Sequence, residues 1–194
     1  MTAQLTLGTL QDDEVRLVNE LLAQLVRFGA KNDVAERYYT AKARWENLGI
    51  AIPEEFEQML TPTLGWCAIA VDTLEERLDW HGWVSDTPNQ WSMDEIYDAN
   101  DLALESSLAV LDALIFGISF WSVTVGDSEA DEPNPLVMAE SPKTTTCRWN
   151  RRQRRADAAL TVGARNAHTK IPTSVSLHLP GQTVVLQASP SSEP

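Results

Sequence analysis

The hydrophobic period of this chain changes once, at Gly117, and that change constrains the fold more than any other feature. Before it, apolar residues recur every three to four positions. After it, Ile118-Ser-Phe-Trp-Ser-Val-Thr-Val125 alternates and is rich in β-branched side chains. A period of 3.6 residues and a period of two belong to different kinds of element. The order of the two regions therefore predicts an α+β fold, a helical N-terminal half followed by a small antiparallel β-sheet.

Within the first region, Val18, Leu21, Leu22, Leu25 and Val26 form the stripe of an amphipathic helix over Asp12–Phe28. Asp12 and Asp13 suit its positive end, and Gly29 suits a stop. A second helix is expected from about Asn32 to Trp45, exposing Lys42 and Arg44, turning Tyr38 and Trp45 inward and breaking at Leu48-Gly-Ile-Ala-Ile-Pro53. Trp66, Ile69, Ala70, Leu74 and Leu78 set the apolar face of another helix between Leu64 and Asp79. A short helix is expected at Met93–Asn100. A longer one follows at Leu104–Phe116, burying Leu104, Leu108, Leu111, Leu114 and Ile115.

Strands are expected at Ile118–Val125, Leu136–Ala139, Cys147–Trp149 and Asp157–Val162, with a final hairpin of Val175–Leu179 and Thr183–Leu186 turning at Pro180-Gly181. The acidic, Pro- and Gly-rich stretch Gly126–Pro135 reads as an exposed loop, and Asn150-Arg-Arg-Gln-Arg-Arg155 as a connecting turn. The expected organisation is a flexible N-terminus over 1–11, a helical part over 12–117, a β-rich part of the same domain over 118–187, and a disordered Ser/Pro tail over 188–194.

Charge narrows the function classes. The chain carries 15 Lys and Arg against 28 Asp and Glu, a net −13, which argues against a general binder of nucleic acid that works by phosphate neutralisation. The imbalance is local: residues 1–145 hold 8 basic and 26 acidic side chains, and residues 146–194 hold 7 basic and 2 acidic. Cys67 and Cys147 are too few to staple a domain of 194 residues, which points to a reducing compartment. No basic n-region precedes an apolar run at the N-terminus, and no segment approaches the ~20 apolar residues of a membrane span. A cytoplasmic protein without membrane contact is the expectation.

Chemistry is hard to find in the sequence. His81, His168 and His178 lack companions at ligand spacing, so no metal or cofactor is expected. Cys67 reads as a small core residue, and Asp72, Glu75, Glu76 and Asp79 as a solvated helix face. No phosphate-cradling glycine loop and no nucleophile elbow is present. The reading is of a protein that is not an enzyme, with no catalytic residue.

Two features stand out. Arg148, Arg151, Arg152, Arg154 and Arg155 fall within one turn, where they can grip phosphate or an acidic partner, or simply balance an acidic domain at a soluble β-turn. Seven tryptophans, at 45, 66, 80, 83, 91, 121 and 149, match the four Phe and three Tyr together; most are expected in the core, with those between Trp80 and Trp91 suited to a subunit interface.

The ordered set Tyr38-Tyr39, Leu48–Pro53, Ala70–Leu78, Asp94–Leu102, Asp112–Ser119, Glu140-Ser-Pro142 and Arg151–Arg155 resembles the N-terminal portion of tailed-bacteriophage portal proteins, of the type found in actinobacterial phages and prophages. The resemblance covers roughly residues 10–187 and implies the peripheral wing region. It also implies a ring-forming homo-oligomer at one capsid vertex, through which DNA passes as cargo during genome packaging. The partners it implies are capsid, scaffold, terminase and head-completion proteins, and the location is the host cytoplasm during assembly and then the virion. Portal proteins continue into stem, clip and crown elements. The chain ends after Leu186 in Gln-Ala-Ser-Pro-Ser-Ser-Glu-Pro, so the resemblance implies a portal truncated before the stem. A different class of reading is a small cytoplasmic interaction module whose Arg-rich turn binds an acidic partner or nucleic acid.

Overall fold

The computed structural model describes residues 4–5, 11–43, 65–84, 86, 92–163 and 172–187. The element order is β1 (Gln4–Leu5), α1 (Asp12–Tyr39), α2 (Trp66–Glu75), α3 (Met93–Ala99), α4 (Leu102–Phe116), β2 (Phe120–Thr124), β3 (Leu136–Glu140), β4 (Thr145–Asn150), β5 (Arg155–Val162), β6 (Ser174–Leu179) and β7 (Gln182–Gln187). The fold is α+β, with helices preceding nearly all strands. Trp45, the break at Leu48–Pro53, Trp91, His168 and the tail lie outside the described residues.

Two sheets form. One has five strands in the order β1-β7-β6-β5-β4, antiparallel except for the short β1, which runs parallel to β7. The other is the antiparallel pair β2-β3, in which Trp121 faces Ala139 and Val123 faces Val137. The strand expectations hold to within a few residues. Gln4–Leu5 carries no strand signal, and tertiary pairing to Val185 and Leu186 decides its conformation.

The core lies between α1 and the larger sheet. Val18, Leu21 and Leu25, on one helical stripe, pack against Ala158, Leu160 and Val162 of β5, Leu177 of β6, and Val184 and Leu186 of β7. Burying each large aliphatic side chain there is worth roughly 1.5–3 kcal/mol. Asn32, on the same stripe, is buried too and donates its side-chain N–H to the Pro142 carbonyl at 3.0 Å. That bond ties the far end of α1 to the Ser141–Thr144 turn between the two sheets.

Five expectations need correction. The core expected to hold most tryptophans holds none of the described ones: Trp66, Trp83, Trp121 and Trp149 are exposed and Trp80 is half-buried. The two helices expected on either side of Gly29 are one helix of 28 residues. A glycine in a helix interior costs roughly 0.5–1 kcal/mol, and the packing of Val18, Leu21, Leu25 and Asn32 on both sides of it outweighs that cost. Tyr38, expected inward, is exposed. On α2 the face is inverted: Trp66 (71%), Ile69 (59%), Ala70, Leu74 and Leu78 are exposed, together with Cys67. The inward side carries Asp72 and Glu75, which were expected in solvent. Tyr39 Oη donates to Asp72 Oδ1 at 2.9 Å, and Ser107 Oγ donates to the Glu75 carboxylate. Hydroxyl donors from α1 and α4 thus pull the acidic edge inward. Glu76 and Asp79 remain exposed as expected. On α4 the buried residues are Leu102 and Ala109; Leu104 and Leu108 face solvent, and Leu111, Leu114 and Ile115 are half-buried.

Candidate interaction surfaces

The arginine turn is built by Asn150. Its side-chain oxygen accepts from the backbone N–H groups of Arg152 and Gln153, both at 3.1 Å, which closes the chain reversal between β4 and β5. Arg154 then takes a left-handed φ of 52°. The register shifts between Arg148 and Trp149, leaving Asp157 opposite the irregularity, where it accepts from Arg148 Nε at 2.9 Å.

The five arginines therefore separate into two kinds. Arg148 sits back on the strand with a carboxylate partner. Arg151, Arg152, Arg154 and Arg155 are exposed together at the tip, where Arg155 Nε bonds only the neutral Gln153 side chain at 3.0 Å. None of these four makes an ion pair among the described residues. The tip thus gathers like positive charge in solvent, where screening keeps any single charge contact weak.

A second surface is aromatic. Trp80 is the hub, in edge-on contact with Trp83, Tyr97 and Trp121 at centroid distances of 4.9, 5.4 and 6.3 Å. Tyr97 Oη donates to the Trp80 carbonyl, and Trp80 Nε1 to the Gly82 carbonyl, both at 2.9 Å. Trp83 and Trp121 remain exposed at the edge of this cluster. The sequence pointed to Trp80 and Trp83; it gave no sign that Tyr97 and Trp121 join them.

Titratable groups gather where the two sheets meet. Burial pushes the Asp112 carboxyl above its ordinary range, while a hydrogen bond with Ser141 and the charge of Lys143 draw it back. Lys143 pairs with Glu36 at 2.6 Å. Nearby, an open groove of about 580 Å³ runs between α1 and the sheet edge, lined by Leu22, Leu25, Gly29, Asn32, Lys143 and Val162 among others. Its walls are mainly aliphatic.

A polar row crosses the five-stranded sheet on the face away from α1. Glu140 accepts from Ser122 Oγ at 3.1 Å and from Thr145 Oγ1 at 3.4 Å; Thr145 and Thr161 hydroxyls lie 3.1 Å apart. Thr161 Oγ1 is 3.3 Å from His178 Nε2, and His178 Nδ1 is 3.2 Å from Thr183 Oγ1. Burial lowers the His178 pKa, with the Glu140 charge opposing. Burial, with the Asp157 charge, also pushes the Cys147 thiol up and so keeps it protonated. Among the described residues no group of three or more His, Cys, Asp or Glu is placed to hold a metal ion, and no helix is long and apolar enough to cross a membrane.

No protein-family model matches the chain. Two curated proteins are similar to it. The portal protein of Mycobacterium phage L5 is 27% identical over 168 residues, covering 80% of this chain and 33% of that protein. The portal protein of Mycobacterium phage D29 is 27% identical over 157 residues, covering 75% of this chain and 31% of that protein. The chain spans about a third of the length of these relatives. Its similarity is thus to phage portal proteins, and it extends over most of the residues described above.

Proposed function

We propose that this protein is a portal-type structural component of a phage or prophage, equivalent to the N-terminal, wing-like portion of a portal and without catalytic activity. The observation that carries the reading is the 27% identity with two mycobacteriophage portal proteins over three-quarters or more of this chain. In this reading residues 12–117 and 118–187 are the helical and β-rich parts of one wing-like domain. The chain joins a ring at the capsid vertex, beside capsid, scaffold, terminase and head-completion proteins, and DNA passes as cargo.

The exposed apolar faces support an assembling role. Trp66, Ile69, Leu74 and Leu78 along α2 and its end, and Leu104 and Leu108 on α4, leave more large apolar surface in water than a chain that works alone has reason to show. In the ring they pack against neighbouring subunits. The net charge of −13 suits a peripheral part of an assembly that lets DNA pass without binding it.

Co-expression with the capsid and scaffold proteins of the same genome tests the reading. The expected result is a chain incorporated at one vertex of the assembled shell. A chain that never enters the shell overturns it.

A second reading rests on the four exposed guanidinium groups at the β4–β5 tip: an interaction module that binds an acidic partner or nucleic acid. Replacing Arg151, Arg152, Arg154 and Arg155 with Ser should then abolish binding together with its salt dependence. Binding that survives the replacement removes this reading.

A further inference from the structure

The edges of the two sheets are not treated alike. β1, at one end of the larger sheet, is only two residues long. β4, at the other end, has its Cys147 carbonyl bonded by Gln24 Nε2 from α1 at 3.1 Å, a register shift at Arg148/Trp149 and an arginine-rich end. β3 is closed from the helical side: Asn100 Oδ1 accepts from the Val137 N–H at 2.8 Å, and Glu105 Oε2 accepts from the Ala139 N–H at 2.5 Å. Short length, irregularity, charge and capping side chains are the usual means by which a sheet edge avoids pairing.

β2 has none of them. The bonds at Val137 and Ala139 fix which way its backbone points. Because those two N–H groups face away from β2, the pairs Val123/Val137 and Trp121/Ala139 are the non-hydrogen-bonded ones of the ladder. The backbone N–H and C=O groups of Trp121 and Val123 therefore point away from β3, and among the described residues they meet no partner. Ile118–Val125 contains no charge, Pro or Gly. Trp121 (42%), Val123 (67%) and Val125 (82%) stand exposed on one face of the strand.

We infer that β2 is an edge built to pair with β2 of a second copy of this chain, antiparallel, giving a four-stranded sheet β3-β2-β2-β3 across a twofold axis. The register follows from the outward-pointing groups. Trp121 of each copy exchanges both backbone hydrogen bonds with Val123 of the other, and the two Ser122 residues face each other on the axis. Each indole then lies opposite a β-branched side chain, a favourable cross-strand pair.

Charge selects this arrangement. Asp127, Glu129, Asp131 and Glu132 form an exposed acidic loop just beyond the C-terminal end of β2. A parallel neighbour would bring two such loops side by side. An antiparallel one holds them apart by the length of the strand pair, roughly 27 Å for eight residues, beyond a Debye length of about 8 Å at physiological salt. The contact is isologous and closes on itself, so it gives a dimer. It does not depend on the portal reading, since ring contacts are head-to-tail.

The test is the mass of the full chain in solution against concentration, measured together with amide hydrogen exchange. The expected mass climbs to twice that of one chain, and the Trp121 and Val123 amides exchange about tenfold or more slowly at high concentration than at low. Val123→Pro removes an outward N–H that the β2–β3 ladder does not use, so it should leave one chain's mass at every concentration with the hairpin intact. Val123→Thr keeps the N–H and should keep the dimer. A Val123→Pro protein that still doubles its mass overturns the inference, as does a wild-type chain that stays single. If Val123→Pro fails to fold, the wild-type amides decide alone: exchange at Trp121 and Val123 that ignores concentration, or slows only when a different protein is added, overturns it.

Discussion

The α1–sheet layer and the α2–α4 layer use the same kinds of apolar residue in opposite ways. In the first, Leu21, Leu160 and Leu177 are fully buried, because helix and strand stripes of matching hydrophobicity meet within one chain. In the second, the buried apolar residues among those described are Leu102 and Ala109, and Trp66, Ile69, Leu74, Leu104 and Leu108 remain in water. Polar contacts reach its inward side: Ser107 of α4 bonds Glu75 of α2 within the layer, and Tyr39 of α1 bonds Asp72 of α2 from the other layer. The difference teaches that apolar periodicity marks a face to be covered without saying by what. One layer covers its own, and the other presents its face outward.

The largest expected effect comes from cutting into the self-covered layer. Leu160→Ala should destabilise the chain by about 2–5 kcal/mol in denaturant unfolding, whereas Ile69→Ala on the outward layer should stay within about 0.5 kcal/mol. Equal losses at the two sites would break the comparison. Next is the tie from α1 to the turn between the two sheets. Asn32→Leu leaves the buried Pro142 carbonyl without its donor and should cost about 1–3 kcal/mol, read as a shift in the unfolding midpoint at unchanged slope.

A smaller effect tests the polar row behind the sheet. Burial lowers the His178 pKa in the folded chain, so folding favours the neutral imidazole. Its share of stability is complete above the unfolded value of about 6.5. It is lost as pH falls below that value, because the unfolded chain then binds the proton more readily, and the loss levels off below the folded pKa. His178→Gln should flatten the stability profile in that window; an unaltered slope would show that the row does not sense protonation. The smallest effect is at the arginine tip. Arg154 holds a left-handed φ that favours glycine, so Arg154→Gly should gain up to about 1 kcal/mol and sharpen the view that this tip contributes charge and little stability.

Much of the fold was legible in the chain. β5 alternates between half-buried and buried side chains as its period of two requires, and the Asn150–Arg155 turn and the Pro180-Gly181 hairpin stand where their turn residues put them. Gly29 misled because a glycine reads as a helix stop only if nothing beyond it pays for continuing, and Asn32 with its Pro142 contact lies beyond it. Of the candidate site, the arginines were legible as a cluster. Arg148 was not separable from the others, since its partner Asp157 is brought to it by the register shift. The open edge of β2 was not legible at all, for it is defined by the capping of β3 by Asn100 and Glu105, 37 and 34 residues away from the amides they bind.

The sequence by itself determined most element types, their order and the step from helix to strand at Gly117, because backbone preference and side-chain period are properties of neighbouring residues; the short β1 and the joining of α1 across Gly29 were not among them. Tertiary structure alone decided which side of α2 turns inward and which strand edge stays open. Both outcomes depend on hydroxyl, amide and carboxylate partners that arrive from distant segments, and no local pattern encodes where those segments will pack.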